Sequence, residues 1–206
     1  MLKEVIKHPL YTLVHPFAGF SDLKFENKGR MKTAVVILIL LMLAAILQRQ
    51  YAGFVVNFNN PRELNSMDEL QFIVLPFVLW CVSNWSVTTL MDGEGKFTEI
   101  VMATAYSLLP MVIIYFPMTW LSNYMTLEES AFYHFFNMLA KIWFLWLLFI
   151  GTMTIHQYSV RKTLVTMGLT LVAMGIIIFL GLLFFSLAQQ VIAFVYTITR
   201  ELQFRV

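Results

Sequence analysis

The chain has 206 residues, 59% hydrophobic and 13% charged, with a net charge of +2 and a mean hydropathy of +0.74. A water-soluble domain of this size would lack the polar residues to cover its surface, so the composition excludes a soluble globule and points to an integral membrane protein. The single cysteine, Cys81, excludes an intrachain disulfide, and no basic stripe interleaved with aromatics offers a footprint for nucleic acid.

In residues 1–32, Leu2, Val5 and Ile6 fall at helical spacing beside lysines, and Phe17, Phe20 and Leu23 repeat the pattern after Pro9 and Pro16. Two short interfacial helices are expected, lying in the membrane surface, packed under the spans as a lid, or both. His8 and His15 each precede a proline, which biases them toward extended backbone and breaks helices. With no third ligand nearby they do not suggest a metal site.

Five apolar stretches follow, at 33–55, 70–91, 97–121, 132–157 and 164–188. Each supplies the roughly 20 residues that cross about 30 Å of hydrocarbon. The first is expected to be retained, because a polar, basic segment precedes it and no small-residue cleavage site follows. Cys81, within the second, reads as a small buried hydrophobe.

Lysine and arginine near span ends stay cytoplasmic. Lys3, Lys7, Lys24, Lys28, Arg30, Lys32, Lys96, Arg161 and Lys162 fall on one side, whereas Arg49, Arg62, Arg200 and Arg205 fall on the other. The expected fold is therefore an all-α integral membrane protein with five transmembrane helices, N-terminus cytoplasmic and C-terminus outside. The organisation is a cytoplasmic interfacial segment (1–32), a transmembrane domain (33–188) and a C-terminal helical extension (189–206). That extension either prolongs the fifth helix or lies along the outer surface.

The Asn-rich loop 57–68 contains Pro61 and is expected to be irregular. Ser66 with Glu69, and Thr126 with Glu129, have capping-box spacing at the starts of the second and fourth spans. Ser83, Asn84, Ser86, Thr88 and Thr89 suit close helix packing in the second span. Asp92 and Glu94 sit in the turn Asp92-Gly93-Glu94-Gly95. They suit the dipole of the third helix, as does Glu99, better than they suit a cation site. His156 ends the fourth span, where an imidazole is an ordinary helix C-terminal residue.

The most expensive residue is Lys141, about nine residues into the fourth span and preceded on the same helix face by His134 and Asn137. A charge at that depth costs at least about 2.5 kcal/mol, so it is paired, functional or snorkelling. No carboxylate in another span matches its depth. Its internal candidates are Asn84, Tyr106 and the carbonyls freed by Pro110 and Pro117, two helix-bending prolines; the external candidate is a carboxylate of another subunit. No serine elbow, metalloprotease histidine pair, intramembrane aspartate pair or phosphate-cradling loop is present, so neither an enzyme nor a cofactor is expected.

The stretch DGEGKFTEIVMATAYSLLP, 92–110, resembles the Yip family of five-span membrane proteins in its short bacterial form. An acidic, glycine-containing turn leads into a span with a Tyr-x-Leu-Leu-Pro-like element at Tyr106, Ser107, Leu108, Leu109 and Pro110. HPFAGFSDLKFENKG (15–29) is similar to the family's pre-membrane segment, and HQYSVRKTL (156–164) to its fourth loop. The resemblance implies a multi-pass protein of a bacterial plasma membrane. The longer N-terminal region through which eukaryotic relatives meet Rab-type GTPases is absent here, so GTPase binding is not carried over. Bacterial relatives are often encoded beside carbohydrate ABC importers, which implies permease subunits as partners alongside membrane lipid. The leading expectation is a non-enzymatic accessory or scaffold subunit. A small channel or carrier along His134, Asn137 and Lys141 is one alternative, and a membrane-shaping, trafficking-type protein is another.

Overall fold

The computed structural model describes residues 2–57 and 65–203, with side chains from Lys7 onward except those of Ser66, Glu201 and Leu202. Pro61 and Arg62 of the Asn-rich loop, and Arg205, lie outside the described residues, as do the side chains of Leu2, Val5 and Ile6. Among the described residues eight helices follow one another: α1 (Leu2–Val14), α2 (Pro16–Phe25), α3 (Met31–Tyr51), α4 (Ser66–Leu90), α5 (Phe97–Ser107), α6 (Leu109–Leu121), α7 (Ser130–His156) and α8 (Val160–Gln203). Five spans of sufficient length and hydropathy result: α3, α4, α5 with α6, α7 and α8.

The third span is in two pieces because Pro110 has no N–H for the carbonyl of Tyr106, and the ladder tightens there, with Leu108 N–H bonding Ala105 O at 3.1 Å. Pro117, by contrast, sits inside a continuous α6. This span forms the centre of the bundle. Sixty-one per cent of its apolar window is buried, against none of the window in α8. Ala103, Ala105, Tyr106, Leu109 and Val112 meet Ile37 and Leu41 of α3 and Leu147 and Ile150 of α7 in the main core.

The two N-terminal helices cover one end of this bundle. Phe20 and Leu23 are buried in the main core, so α2 acts as a lid. Phe17, expected on the same face, is exposed, as are Leu10, Tyr11, Val14 and Phe25. His8 does not break the chain into extended backbone: α1 runs through Pro9. The proline ring removes one hydrogen bond without ending the helix, and the imidazole packs against Tyr106, ring centroids 5.9 Å apart. His15 does behave as its proline requires, standing outside α2 as the residue before Pro16.

The capping boxes differ in detail from expectation. Asn65, not Ser66, caps α4, its side-chain oxygen accepting from Met67 N–H at 3.1 Å, while Glu69 pairs with Arg49 on α3. The Glu129 carboxylate accepts from the Thr126 backbone N–H at 2.9 Å and its hydroxyl at 3.1 Å. These bonds, the backbone one first, hold the carboxyl below its usual range. They close a turn one residue before α7 begins. The fifth helix runs on past 188, since α8 is one 44-residue helix.

Candidate functional site

At the lidded end, α4 ends at Leu90 and the chain reverses through Asp92, whose φ of 53° is left-handed, a conformation aspartate tolerates. The turn then passes directly beneath His156. A Cβ on Gly95 would stand 2.6 Å from the imidazole Cε1 and from the Ile155 side chain, so only glycine permits this approach. Gly95 N–H donates to His156 Nδ1 at 3.3 Å, which assigns the ring proton to Nε2. Nε2 in turn faces Asn84 Oδ1 at 3.3 Å. Asn84 Nδ2 donates to Thr170 Oγ1 at 3.3 Å, and the Thr170 hydroxyl donates to Thr166 O at 2.8 Å. One continuous relay of polar contacts thus joins the turn, α7, α4 and α8.

Its members are enclosed. His156 is 2% exposed and Asn84 1%; Thr88, Thr163, Thr166 and Thr170 are also buried. Ser and Thr hydroxyls satisfied by their own helix let α4 and α8 approach closely. A cavity of about 10 Å³ opens beside the relay, lined by Asn84, Thr104, Thr152 and His156 together with apolar side chains. That is room for one water molecule with polar partners.

Two further contacts tie the lid to this junction. Lys24 of α2 donates to Ile155 O at 2.6 Å and to Glu94 Oε2 at 3.0 Å, and its side chain is 9% exposed while that of Glu94 is 64% exposed. Tyr158, just past α7, donates to Met91 O at 3.0 Å. Burial, and then the Asp92 carboxylate, push its phenol above the ordinary range. The Tyr106 hydroxyl accepts Arg30 N–H at 3.0 Å, anchoring the start of α3.

The sequence-derived candidates therefore separate. Asn84 belongs to the His156 relay, Glu94 to the Lys24 latch, Tyr106 to the α3 junction, and Asp92 to the turn. Asn137 lies toward the opposite end, where Gln48 Nε2 donates to its Oδ1 at 2.9 Å and to Tyr133 OH at 2.7 Å. His134 and Lys141 are exposed on α7, so the three residues of the supposed polar stripe do not converge. Among the described residues no carboxylate forms an ion pair with Lys141, and no three His, Cys, Asp or Glu side chains gather as a metal group.

His156 is the functional-site residue that sequence reasoning undervalued. Its signal was the pair Gly93 and Gly95 across an acidic turn, which marks a place where backbone approaches another group closely. The arrangement is a bracket between helices, with both imidazole nitrogens engaged.

The order of elements now matters for comparison. A lid of two helices, an acidic glycine turn leading into a buried span, the Tyr106 to Pro110 break and a short α7–α8 connection lie within one stretch, and the profile described as the Yip1 domain matches residues 10–195. The chain belongs to the Yip1 domain family. The Yip1 match takes in the end of α1, all five spans and most of α8, and it accords with a multi-pass membrane protein. No curated protein and no solved structure matched the chain.

Proposed function

We propose that this Yip1 family protein is a non-enzymatic membrane subunit that assembles with another integral membrane protein through the face of α7 carrying Lys141. The observation that carries this reading is the position of Lys141. It is the twelfth residue of a 27-residue helix, exposed on the outside of the bundle, where lipid would otherwise be its surroundings. A lysine at mid-depth costs at least about 2.5 kcal/mol there, and a carboxylate of a neighbouring subunit removes that cost. Asn84 and Tyr106 do not serve it, being engaged elsewhere. The partner we propose is the permease of a carbohydrate ABC importer in a bacterial plasma membrane, with α1 and α2 on the cytoplasmic side; the sequence resemblance and the distribution of Lys and Arg support this.

The test is gentle-detergent purification at native expression level, with mass spectrometry of stoichiometric companions, for the wild type and Lys141→Leu. Permease and ATPase subunits are expected with the wild type and depleted with the variant. A wild-type chain recovered alone, folded and monodisperse, rejects the proposal; equal recovery of partners with both chains removes Lys141 from it.

The channel reading needs His134, Asn137 and Lys141 to line one path; Asn137 faces Gln48, while His134 and Lys141 are exposed. The membrane-shaping reading keeps one observation, the exposed Leu10, Tyr11, Val14, Phe17 and Phe25 on the lid. Reconstituted vesicles whose diameter is unchanged by the protein would discard it.

A further inference from the structure

A separate, open cavity of about 700 Å³ lies at the lidded end, between α1 and the turn that leads from α2 into α3. Its volume falls in the roughly 300–1,000 Å³ range of sites for small organic groups. Lys7 and His8 of α1, Asp22 of α2, and Glu26, Lys28 and Arg30 of the turn line it. Both walls are held in place. Asn27 takes a left-handed φ of 51°, and Gly29 presses so closely on buried Leu23 that a Cβ would stand 2.7 Å from Leu23 Cγ. The Tyr106 hydroxyl then accepts the Arg30 N–H at 3.0 Å, while the His8 ring of the opposite wall packs on the same tyrosine. One buried side chain therefore braces α1 and the turn together.

The charges around the cavity are sorted. Lys28 meets the Asp22 carboxylate at 3.0 Å and pairs with Glu26 as well, so one cation serves both acids. Lys7 is exposed and forms no ion pair among the described residues, and Arg30 brings a further positive charge. Three cations against two carboxylates give the lining an excess of one positive charge, with His8 kept neutral at pH 7 by burial. That excess matches a single monoanion. Neither ring nitrogen of His8 has a hydrogen-bond partner. A neutral imidazole always carries one N–H, so this wall also lacks an acceptor that the chain itself does not supply.

The position of the cavity selects the source of that anion. Arg30 is the N-cap of α3, so the cavity stands level with the point where the first span begins. Just below it Met31, Val35, Ile39 and Leu43, spaced four apart and 39% to 48% exposed, form one apolar stripe down α3. We propose that the cavity binds the phosphodiester headgroup of an anionic phospholipid, with Lys7 and Arg30 holding the phosphate and the stripe of α3 carrying an acyl chain. A soluble phosphate would meet the same donors but gains nothing from the stripe. No residue of α7 takes part, so this site stands apart from the face that carries Lys141.

Native mass spectrometry of the full chain, released from micelles titrated with an equimolar mixture of phosphatidylglycerol and phosphatidylcholine, tests the site. Retention of phosphatidylglycerol over phosphatidylcholine is expected. Each cation beside an anionic headgroup contributes about fivefold in affinity, so Lys7→Gln and Arg30→Gln should each weaken retention by about that factor. Arg161→Gln, which removes an exposed charge from the same end of the bundle, should leave it unchanged. Equal losses in all three variants, or none in any, reduce the effect to general surface charge and overturn the site. Displacement of the lipid by millimolar inorganic phosphate assigns the donors to a soluble anion and overturns the lipid. A second readout needs no variant: phosphatidylglycerol with a diazirine on its headgroup, photolysed with the unmodified chain in nanodiscs, should label residues 7–30, and labelling confined to other segments overturns the proposal. Lys141→Leu leaves both readouts unchanged, so this site and recruitment of a different subunit by α7 succeed or fail separately.

Discussion

Lys24 and Glu94 form an ion pair whose two members carry unequal weight. The Lys24 ammonium is nearly enclosed and also meets Ile155 O, a carbonyl in the last turn of α7, at 2.6 Å. Removing it with Lys24→Met keeps most of the side-chain volume but deletes a charge-assisted bond to a helix C-terminus and leaves that carbonyl poorly satisfied, a loss of about 2–3 kcal/mol. The Glu94 carboxylate is 64% exposed, and an exposed pair is worth about 0–1 kcal/mol, so Glu94→Gln removes little. The difference of about 2 kcal/mol is roughly thirtyfold in an unfolding equilibrium. Equilibrium unfolding in mixed micelles of dodecylmaltoside and SDS, with tryptic cleavage between α2 and α3 as a local probe, measures both. The effect of Glu94→Gln should shrink with added salt while that of Lys24→Met persists. Equal losses from the two variants, or a larger one from Glu94→Gln, would refute the assignment of the lid's hold to the Ile155 carbonyl.

Two further predictions concern the ends of the bundle. In Gly53→Ala the new methyl would stand 2.2 Å from the Ser122 carbonyl oxygen, forcing the ends of α3 and α6 apart at a cost of about 1–3 kcal/mol; an unchanged melting temperature in detergent would show that this contact carries no constraint. His8 is held below its ordinary pKa by burial first, with Asp22 opposing and Lys28 adding to the shift. The folded chain therefore binds this proton less readily than the unfolded one, and the stability His8 supports is present above about pH 6.5 and lost as the pH falls below it. Protease sensitivity of residues 7–30 should rise from pH 7.5 to pH 5 in the wild type and stay flatter in His8→Phe; parallel profiles for the two chains contradict it.

The five spans were legible because crossing a bilayer demands only length and hydropathy, and both are properties of local sequence. The break at Pro110 was legible for a similar reason, since a missing N–H is a local fact. Helix rotation was not. Asn137 and Lys141 are one turn apart in sequence, yet α7 turns the first toward Gln48 and leaves the second outside, a choice made by neighbours such as Ala140 and Leu147 that fill the core. The importance of His156 was hidden because its partners Gly95, Asn84 and, through Asn84, Thr170 come from three distant segments. The cap at Asn65 was missed because Ser66 with Glu69 has the spacing of a box, while Arg49 claims the glutamate. The end of α8 was ambiguous in sequence, as no charge interrupts its apolar run before Arg200.

The buried third span also bears on how the chain enters the membrane. Translation delivers α5 and α6 when only α3 and α4 precede them, although much of what surrounds this span in the finished protein belongs to α7. With Thr104 and Ser107 inside it and its ladder interrupted at Pro110, the segment is poorly suited to lipid while it waits. Nascent chains halted before Ser130 would leave it open to quality-control proteases, and chains halted after His156 would shelter it. Completion of α7 is thus the step at which biosynthesis commits to a protected bundle, whereas none of the apolar window of α8 is buried in the finished chain.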